Sequence, residues 1–173
     1  MLLDKIIKLP PIKNDENNII EINDTTLHNI KINLELYKKI ESSYEDLKYI
    51  EKIEIKNDKI VKCINLMKKY KPKLNEKIIM VNLKKINDLW KKDENYLCDD
   101  YEKIINKNKY LWSRLDLIEE NINEPPVIIY DEDKDLISFI NGRHRFSNLR
   151  DLGCEEIPVI IIDKITFNKI EKL

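Results

Sequence analysis

Glycine, cysteine and histidine are scarce in this chain of 173 residues, and their scarcity excludes several kinds of site. The chain contains two glycines, three cysteines and two histidines. The cysteines, Cys63, Cys98 and Cys154, are far apart in sequence, and no two of them form a C-x-x-C pair. We therefore expect neither a framework of disulfide bonds nor a structural zinc site.

The sequence also lacks a long apolar run and an excess of charge of either sign. No segment reaches the length of a membrane span, and the first residues, MLLDKIIKLPPIKNDEN, have no apolar core of a secretion signal. Charged residues make up 36% of the chain, yet the formal net charge is −1, so no global field attracts nucleic acid or a membrane. We expect a cytoplasmic protein. The bias towards Lys, Ile and Asn is typical of AT-rich genomes, those of some phages and giant viruses among them.

The two glycines, Gly142 and Gly153, lie within the most informative segment, LISFINGRHRFSNLRDLGCEEIPVIII. Apolar runs of strand length stand at both of its ends, and Phe146 and Leu149 repeat at helical spacing between them. The segment therefore predicts a strand, a helix and a second strand, at Leu136–Ile140, about His144–Leu152 and Ile157–Ile162. Gly142 separates the predicted strand from the predicted helix, and Gly153 lies where a left-handed helix C-cap is expected.

Three basic residues, Arg143, His144 and Arg145, follow Gly142 at the start of the predicted helix. The first turn of a helix has unpaired N–H groups and the positive end of the helix dipole, so cations are unfavourable there unless an anion binds. Arginine can contact a phosphate or carboxylate through two N–H groups, and histidine is a donor of adjustable charge. We therefore predict a phosphate-binding site formed by Asn141, Gly142, Arg143, His144 and Arg145.

The acidic segment Asp131–Asp135 offers two alternatives. One of its carboxylates, that of Asp131 or Asp133, could bind Arg145 and leave the basic loop as a solvated turn without a ligand. The alternating Asp131, Asp133 and Asp135 could also bind magnesium, but the glycine and terminal glutamate of a calcium-binding loop are absent. A solvated surface turn is the favoured interpretation of this segment, so we predict no metal site built from protein side chains.

The segment NGRHRFSNLRDLGCEEIPVII resembles the signature of the ParB/sulfiredoxin superfamily, whose members have a strand, a G-x-H-R or G-x-R-R loop, a helix and a closing I-P-V strand. The similarity extends upstream to SRLDLIEENINEPPV, from Ser113 to Val127, and covers about residues 78 to 163. The resemblance implies an α+β fold in which helices flank a small mixed β-sheet. It also implies a nucleotide ligand, ATP or another nucleotide together with Mg²⁺.

Sulfiredoxins bind ATP beside a G-C-H-R loop, to which Gly142, His144 and Arg145 of this chain correspond. Arg143 stands in the position of the reactive cysteine and cannot act as a thiolate nucleophile, so sulfiredoxin activity is not expected. Ser113 corresponds to a serine that contacts the nucleotide in sulfiredoxins. The resemblance therefore implies that Ser113 contributes to nucleotide binding.

Other members of the superfamily suggest different activities. Partition-type ParB proteins bind CTP and continue into further domains, whereas only about ten residues follow the last predicted strand here, so a full partition protein is not expected. Some single-domain relatives are free-serine kinases, in which a carboxylate lies near the reacting hydroxyl. The resemblance makes Glu124 a candidate base and His144 a second candidate catalytic residue. For Glu124 the plainer alternative, an exposed glutamate at a helix end, is favoured.

Three classes of function remain open. The first is a nucleotide-dependent enzyme, a small-molecule kinase or NTPase, that would act on a small molecule or a protein. The second is a nuclease or nucleic-acid-processing protein, which would require a local basic track such as Lys103, Lys107 and Lys109. The third is a non-catalytic module that senses a nucleotide and presents its N-terminal extension to a protein partner. Of the three, the first is favoured.

The remaining segments predict the domain organisation. We expect an N-terminal extension over residues 1–76, a ParB/sulfiredoxin-like domain over 77–165 and a tail over 166–173. The extension is predicted to contain an amphipathic helix, a hairpin and a linker, at Ile30–Tyr49, Ile50–Ile64 and Lys71–Glu76. The domain is predicted to contain two further strands and a helix, at Ile78–Leu83, Val127–Tyr130 and Tyr110–Ile122. We also expect a helix that begins near Asp99 or Asp100 and runs through Ile105, and Trp90 near the edge of the core.

Overall fold

The computed structural model describes residues 48–51, 53–98, 100, 103–104 and 107–173. Contacts between Cα atoms divide the chain into two compact units, residues 1–54 and 55–173. In the first unit the structure describes one helical turn, α1, at Lys48–Glu51, and the two residues 53 and 54. Most of the helix predicted at Ile30–Tyr49 lies outside the described residues, as does most of the helix predicted after Asp99.

The second unit combines helices with a four-stranded sheet. Its elements, in chain order, are α2 Asn57–Lys68, β1 Lys77–Asn82, α3 Leu83–Trp90, α4 Lys107–Ile118, β2 Val127–Asp131, β3 Leu136–Asn141, α5 Arg143–Asp151, β4 Glu156–Ile161 and α6 Lys164–Ile170. Helices and a small mixed sheet in one unit make an α+β fold, which confirms the fold class predicted from the sequence. In the part of the chain that the structure describes, no helix is both long and apolar enough to cross a membrane.

The sheet has the strand order β1-β4-β2-β3. The pairs β1–β4 and β2–β3 are antiparallel, and the central pair β2–β4 is parallel. Parallel neighbours require a long connection, which here runs through β3 and α5. Strand β4 is buried on both faces from Ile157 to Ile161, as expected for a central strand with a continuous apolar sequence. This arrangement places the loop at Gly142 between the edge strand β3 and helix α5.

The centre of the core contains an aromatic cluster around Trp90, which is completely buried. Its indole ring packs edge-on against Tyr96, Phe139 and Phe146, with ring centroids 4.9, 4.6 and 5.6 Å away. The prediction that Trp90 lies near the edge of the core is therefore wrong. Helix α3 begins directly after β1, because the Asn82 side chain accepts a hydrogen bond from the Lys85 N–H. Its last residue, Trp90, is buried in the core.

The hairpin predicted at Ile50–Ile64 does not form, and its second half is part of helix α2. Alternating Ile53 and Ile55 suggested strands, but the buried residues that follow repeat every three or four positions: Ile60, Cys63 and Met67. Helix α2 packs against α4 and β4. The unit that contains the sheet begins at residue 55. The domain boundary that the sequence places between residues 76 and 77 stays a prediction.

Helix α4 differs from the prediction at both ends, and it begins at Lys107 instead of Tyr110. Helix α4 ends at Ile118, four residues before the predicted end, and Glu120 then adopts a left-handed conformation with φ 59°. The Glu120 N–H donates to the Leu117 carbonyl and the Asn121 N–H to the Asp116 carbonyl, which is a Schellman end without glycine. The predicted C-terminal tail is mostly helical, because α6 runs from Lys164 to Ile170.

Candidate functional site

The loop between β3 and α5 depends on a glycine at position 142. Gly142 adopts a left-handed conformation with φ 80° and directly precedes the first residue of α5. A Cβ atom at this position would lie 2.8 Å from the Cα of Pro126 and 3.1 Å from its Cβ. Both the backbone angle and the close approach of Pro126 therefore require glycine. The backbone angle and the Pro126 contact explain the glycine at position 142, so no ligand near the main chain is needed to account for it.

Arg145 is held within the protein. Its guanidinium Nη1 donates a hydrogen bond to the backbone carbonyl of Glu124. Burial lowers the pKa of Arg145, while the carboxylates of Glu124 and Asp116 oppose that shift. The hydrogen-bond partner is therefore the Glu124 carbonyl rather than a carboxylate of Asp131 or Asp133. A guanidinium engaged in this way has fewer N–H groups available for a phosphate.

Glu124 lies beside the loop. Its carboxylate oxygen Oε2 is 3.5 Å from the side-chain amide nitrogen of Asn141, the last residue of β3. Together with the Arg145 contact to the Glu124 carbonyl, this places three of the predicted site residues next to one another. The sequence separates Glu124 from the loop by seventeen positions, and the β2–β3 pairing brings them together.

His144 is a neutral imidazole in a positive environment. Its ring nitrogen Nε2 is buried and has no hydrogen-bond partner among the residues that the structure describes. Burial, followed by the positive charges of Arg143 and Lys109, lowers the pKa of His144 to about 4. The imidazole is therefore uncharged at neutral pH. An anion beside it would offset the two cations and favour the protonated ring.

Arg143, His144 and Lys109 form what we call the basic cluster. Arg143 Nη1 donates to the side-chain oxygen of Asn95 at 3.2 Å, and Lys109 is exposed without a hydrogen bond or ion pair in the described part of the chain. Ser113 lies four positions after Lys109 on α4, so the two residues share one face of that helix. The sequence did not predict that Lys109 belongs to the basic cluster, because its position beside His144 depends on how α4 packs against α5.

Asn148 fixes that packing. This fully buried residue of α5 donates from Nδ2 to the backbone carbonyls of Tyr110 and His144, both at 3.0 Å. The Tyr110 hydroxyl in turn donates to the Asp151 carboxylate at 2.7 Å. Helices α4 and α5 are thus joined along their length by polar contacts. These contacts position Lys109 near the N-terminus of α5.

The acidic segment Asp131–Asp135 forms the turn between β2 and β3. The Asp131 carboxylate accepts hydrogen bonds from the backbone N–H groups of Asp133 and Lys134, at 3.1 and 3.2 Å. Among the described residues, no group of three or more acidic, cysteine or histidine side chains is arranged to hold a metal ion. The segment is therefore a turn closed by its own carboxylate.

A pocket of about 670 Å³ lies elsewhere in the unit, and none of the predicted site residues lines it. It is bordered by the first residues of α3 and by the residues at the C-terminal end of α5. The phosphate site predicted from the sequence and this pocket are therefore separate features at opposite ends of one helix.

Comparison of the chain with protein-family models, with curated proteins and with solved structures finds no match. The ParB/sulfiredoxin resemblance accordingly stays a prediction.

Proposed function

We propose that the protein binds the phosphate groups of a nucleotide at the basic cluster and the N-terminus of α5. The observation that carries this proposal is the environment of His144: its buried Nε2 has no hydrogen-bond partner in the described part of the chain, and burial, followed by the cations Arg143 and Lys109, lowers its pKa. Two cations near the positive end of a helix dipole are unfavourable without an anion. A phosphate would offset both charges and supply acceptors for their N–H groups.

For the reaction we propose a small-molecule kinase or NTPase that uses ATP or another nucleotide with Mg²⁺. Two observations support it: the Glu124 carboxylate lies beside the loop, and Arg145 holds the Glu124 backbone. A carboxylate there could accept a proton from an attacking hydroxyl or water while the basic cluster binds the phosphates. In this proposal Arg145 is a positioning residue for Glu124. The ParB/sulfiredoxin-like assignment of the fold belongs to the same proposal.

The test of binding is isothermal titration calorimetry with ATP, ADP, CTP and GTP in the presence of Mg²⁺. Arg143→Gln and Lys109→Gln each remove one charge from the basic cluster and are each expected to weaken binding about tenfold, the effect of about 1.4 kcal/mol. Lys68→Gln, an exposed lysine of α2, is the matched control and should bind like the wild type. Folded wild-type protein that binds none of the four nucleotides would refute the proposal, as would an equal loss in the control.

The test of catalysis is product formation by the wild type and by Glu124→Gln. The variant is expected to keep nucleotide affinity within about twofold and to lose at least tenfold in turnover, since general bases contribute typically 10²–10⁴-fold. Binding without product would favour the non-catalytic nucleotide-sensing module.

Cleavage of nucleic acid instead would favour the nuclease class. The structure offers that class little support, because Lys103, the first lysine of the suggested basic track, forms an ion pair with Asp100 at 2.8 Å.

A further inference from the structure

The pocket of about 670 Å³ has the size of a small-molecule site, for which about 300–1,000 Å³ is typical. The pocket lies between the N-terminal end of α3 and the C-terminal end of α5, which carry opposite partial charges of the helix dipole. Asn82, Leu83 and Lys84 belong to the start of α3, whereas Arg150 and Asp151 end α5. Most of the lining side chains are polar, which indicates a polar ligand.

Two polar residues of the pocket wall, Asn87 and Arg150, are largely buried. The Arg150 side chain is only 9% exposed, and its Nε donates to the Asp151 carboxylate at 2.7 Å. Nη1 donates to the Leu97 carbonyl at 2.7 Å and contacts the Asn87 and Tyr96 oxygens at 3.2 and 3.3 Å. Nη2 has no hydrogen-bond partner among the described residues, and it is shielded from solvent, so it does not face the open space of the pocket.

The Asp151 carboxylate is not free to bind a cationic group of a ligand, because both of its oxygens already accept hydrogen bonds. Oδ1 accepts from Arg150, and Oδ2 accepts from the Tyr110 hydroxyl at 2.7 Å. The charged groups left on the pocket wall are Lys84 and Glu155. Both are exposed, and in the described part of the chain neither side chain forms a hydrogen bond or ion pair. The pocket therefore offers one uncommitted cation, Lys84, and one uncommitted anion, Glu155.

We propose that this pocket binds a small zwitterion of the α-amino acid class. Its carboxylate would lie towards Lys84, and its ammonium group towards Glu155. The Leu83 N–H donates to the Glu155 carbonyl at 2.8 Å, which keeps the backbones that carry the two opposite charges close together. This site lies at the opposite end of α5 from Gly142, so it stands whether or not the basic cluster binds phosphate.

The first arm of the test compares ligands by calorimetry and by ligand-detected NMR on the full chain. The probes are the twenty standard L-amino acids, with acetate and methylammonium as fragments that carry one charge each. At least one amino acid is expected to bind at least tenfold more tightly than either fragment. Absence of binding by every amino acid, or acetate binding equally well, would overturn the proposal.

The second arm uses exposed residues, so that folding is not at risk. Lys84→Gln and Glu155→Gln are each expected to weaken binding of that amino acid about tenfold. Lys85→Gln and Glu156→Gln, the exposed neighbours that do not line the pocket, are the matched controls and should leave binding unchanged. Unchanged binding in the first pair, or equal losses in both pairs, would overturn the proposal.

Discussion

The Cα of Pro126 lies 2.8 Å from the point that a side-chain carbon on Gly142 would occupy. Pro126 directly precedes β2, and its carbonyl accepts a hydrogen bond from the Ile160 N–H of β4 at 2.8 Å. The loop at the start of α5 is therefore packed directly against backbone that belongs to the sheet. The position of Arg143 and His144 relative to Glu124 is set by this contact.

Gly142→Ala should destabilise the protein far more than Gly153→Ala. Both glycines have left-handed angles, with φ 80° and 76°, so both substitutions cost roughly 1–2 kcal/mol in backbone strain. Only at Gly142 does the new methyl group meet neighbouring backbone, since no atom of the described residues lies within 4 Å of the corresponding position at Gly153. Overpacking adds about 1–3 kcal/mol. Urea denaturation of the two variants measures the difference, and equal losses would show that the Pro126 contact does not matter.

Arg145→Ala should lower the free energy of unfolding by about 1–3 kcal/mol, because it leaves the Glu124 carbonyl without its donor. Arg143→Ala removes a more exposed arginine from the same helix end and should cost about 0.5 kcal/mol or less. Chemical denaturation of both variants tests this. A similar cost for the two would contradict the structural role given to Arg145. Nucleotide binding by Arg145→Ala should accordingly be measured only under conditions where that variant is folded.

The His144 ring should titrate at about pH 4 in the free protein, well below the usual value near 6.5. A lowered pKa of the folded state means that the unfolded chain takes up a proton first as the pH falls. Stability that depends on His144 is therefore present above about pH 6.5 and is lost as the pH falls towards 4. Histidine NMR over this range gives the midpoint. Added nucleotide with Mg²⁺ should move it upwards, and a midpoint that the nucleotide leaves unchanged would contradict phosphate binding at the basic cluster.

Tyr110 should make the protein less stable at high pH. Burial, and then its hydrogen bond to the Asp151 carboxylate, raises the pKa of Tyr110. The unfolded chain therefore loses this proton first, and stability should fall by up to about 1.4 kcal/mol per pH unit above pH 10. Tyr110→Phe lacks the titrating hydroxyl, so its free energy of unfolding, measured by urea denaturation, should decline less steeply between pH 9 and 11. Tyr70→Phe is the control, and parallel curves for wild type and Tyr110→Phe would contradict the prediction.

Local sequence signals predicted the segment around the loop well. The apolar runs that become β3 and β4 have strand length, and the residues between them repeat at helical spacing. Gly153 caps α5 as expected: its own N–H donates to the Arg150 carbonyl, and the Cys154 N–H donates to the Leu149 carbonyl. Each of these features is decided by residues a few positions apart, which a sequence pattern contains.

Features decided by distant residues were not predictable in the same way. The segment of α2 has weak turn chemistry at Asn57 and Asp58, and its helical state depends on packing against α4 and β4. Glu120 closes α4 without the usual glycine, and its carboxylate accepts a hydrogen bond from Lys62 on α2. The position of Lys109 beside His144 likewise follows from contacts between helices. The predicted site residues Glu124, Asn141 and Arg145 do meet, but their binding role stays a prediction.

The position of β1 in the sheet has a consequence for the order of events during synthesis. Lys77 of β1 pairs with Ile161 of β4, and the other neighbour of β4 is β2, so β1 has no other strand to pair with in the described sheet. At roughly 5–20 residues per second, several seconds separate the synthesis of β1 from that of its partner. During that interval the apolar residues Ile78, Ile79 and Val81 leave the ribosome with their partner strand still unmade. During synthesis the apolar residues of β1 are therefore open to chaperones and to aggregation until β4 has been made.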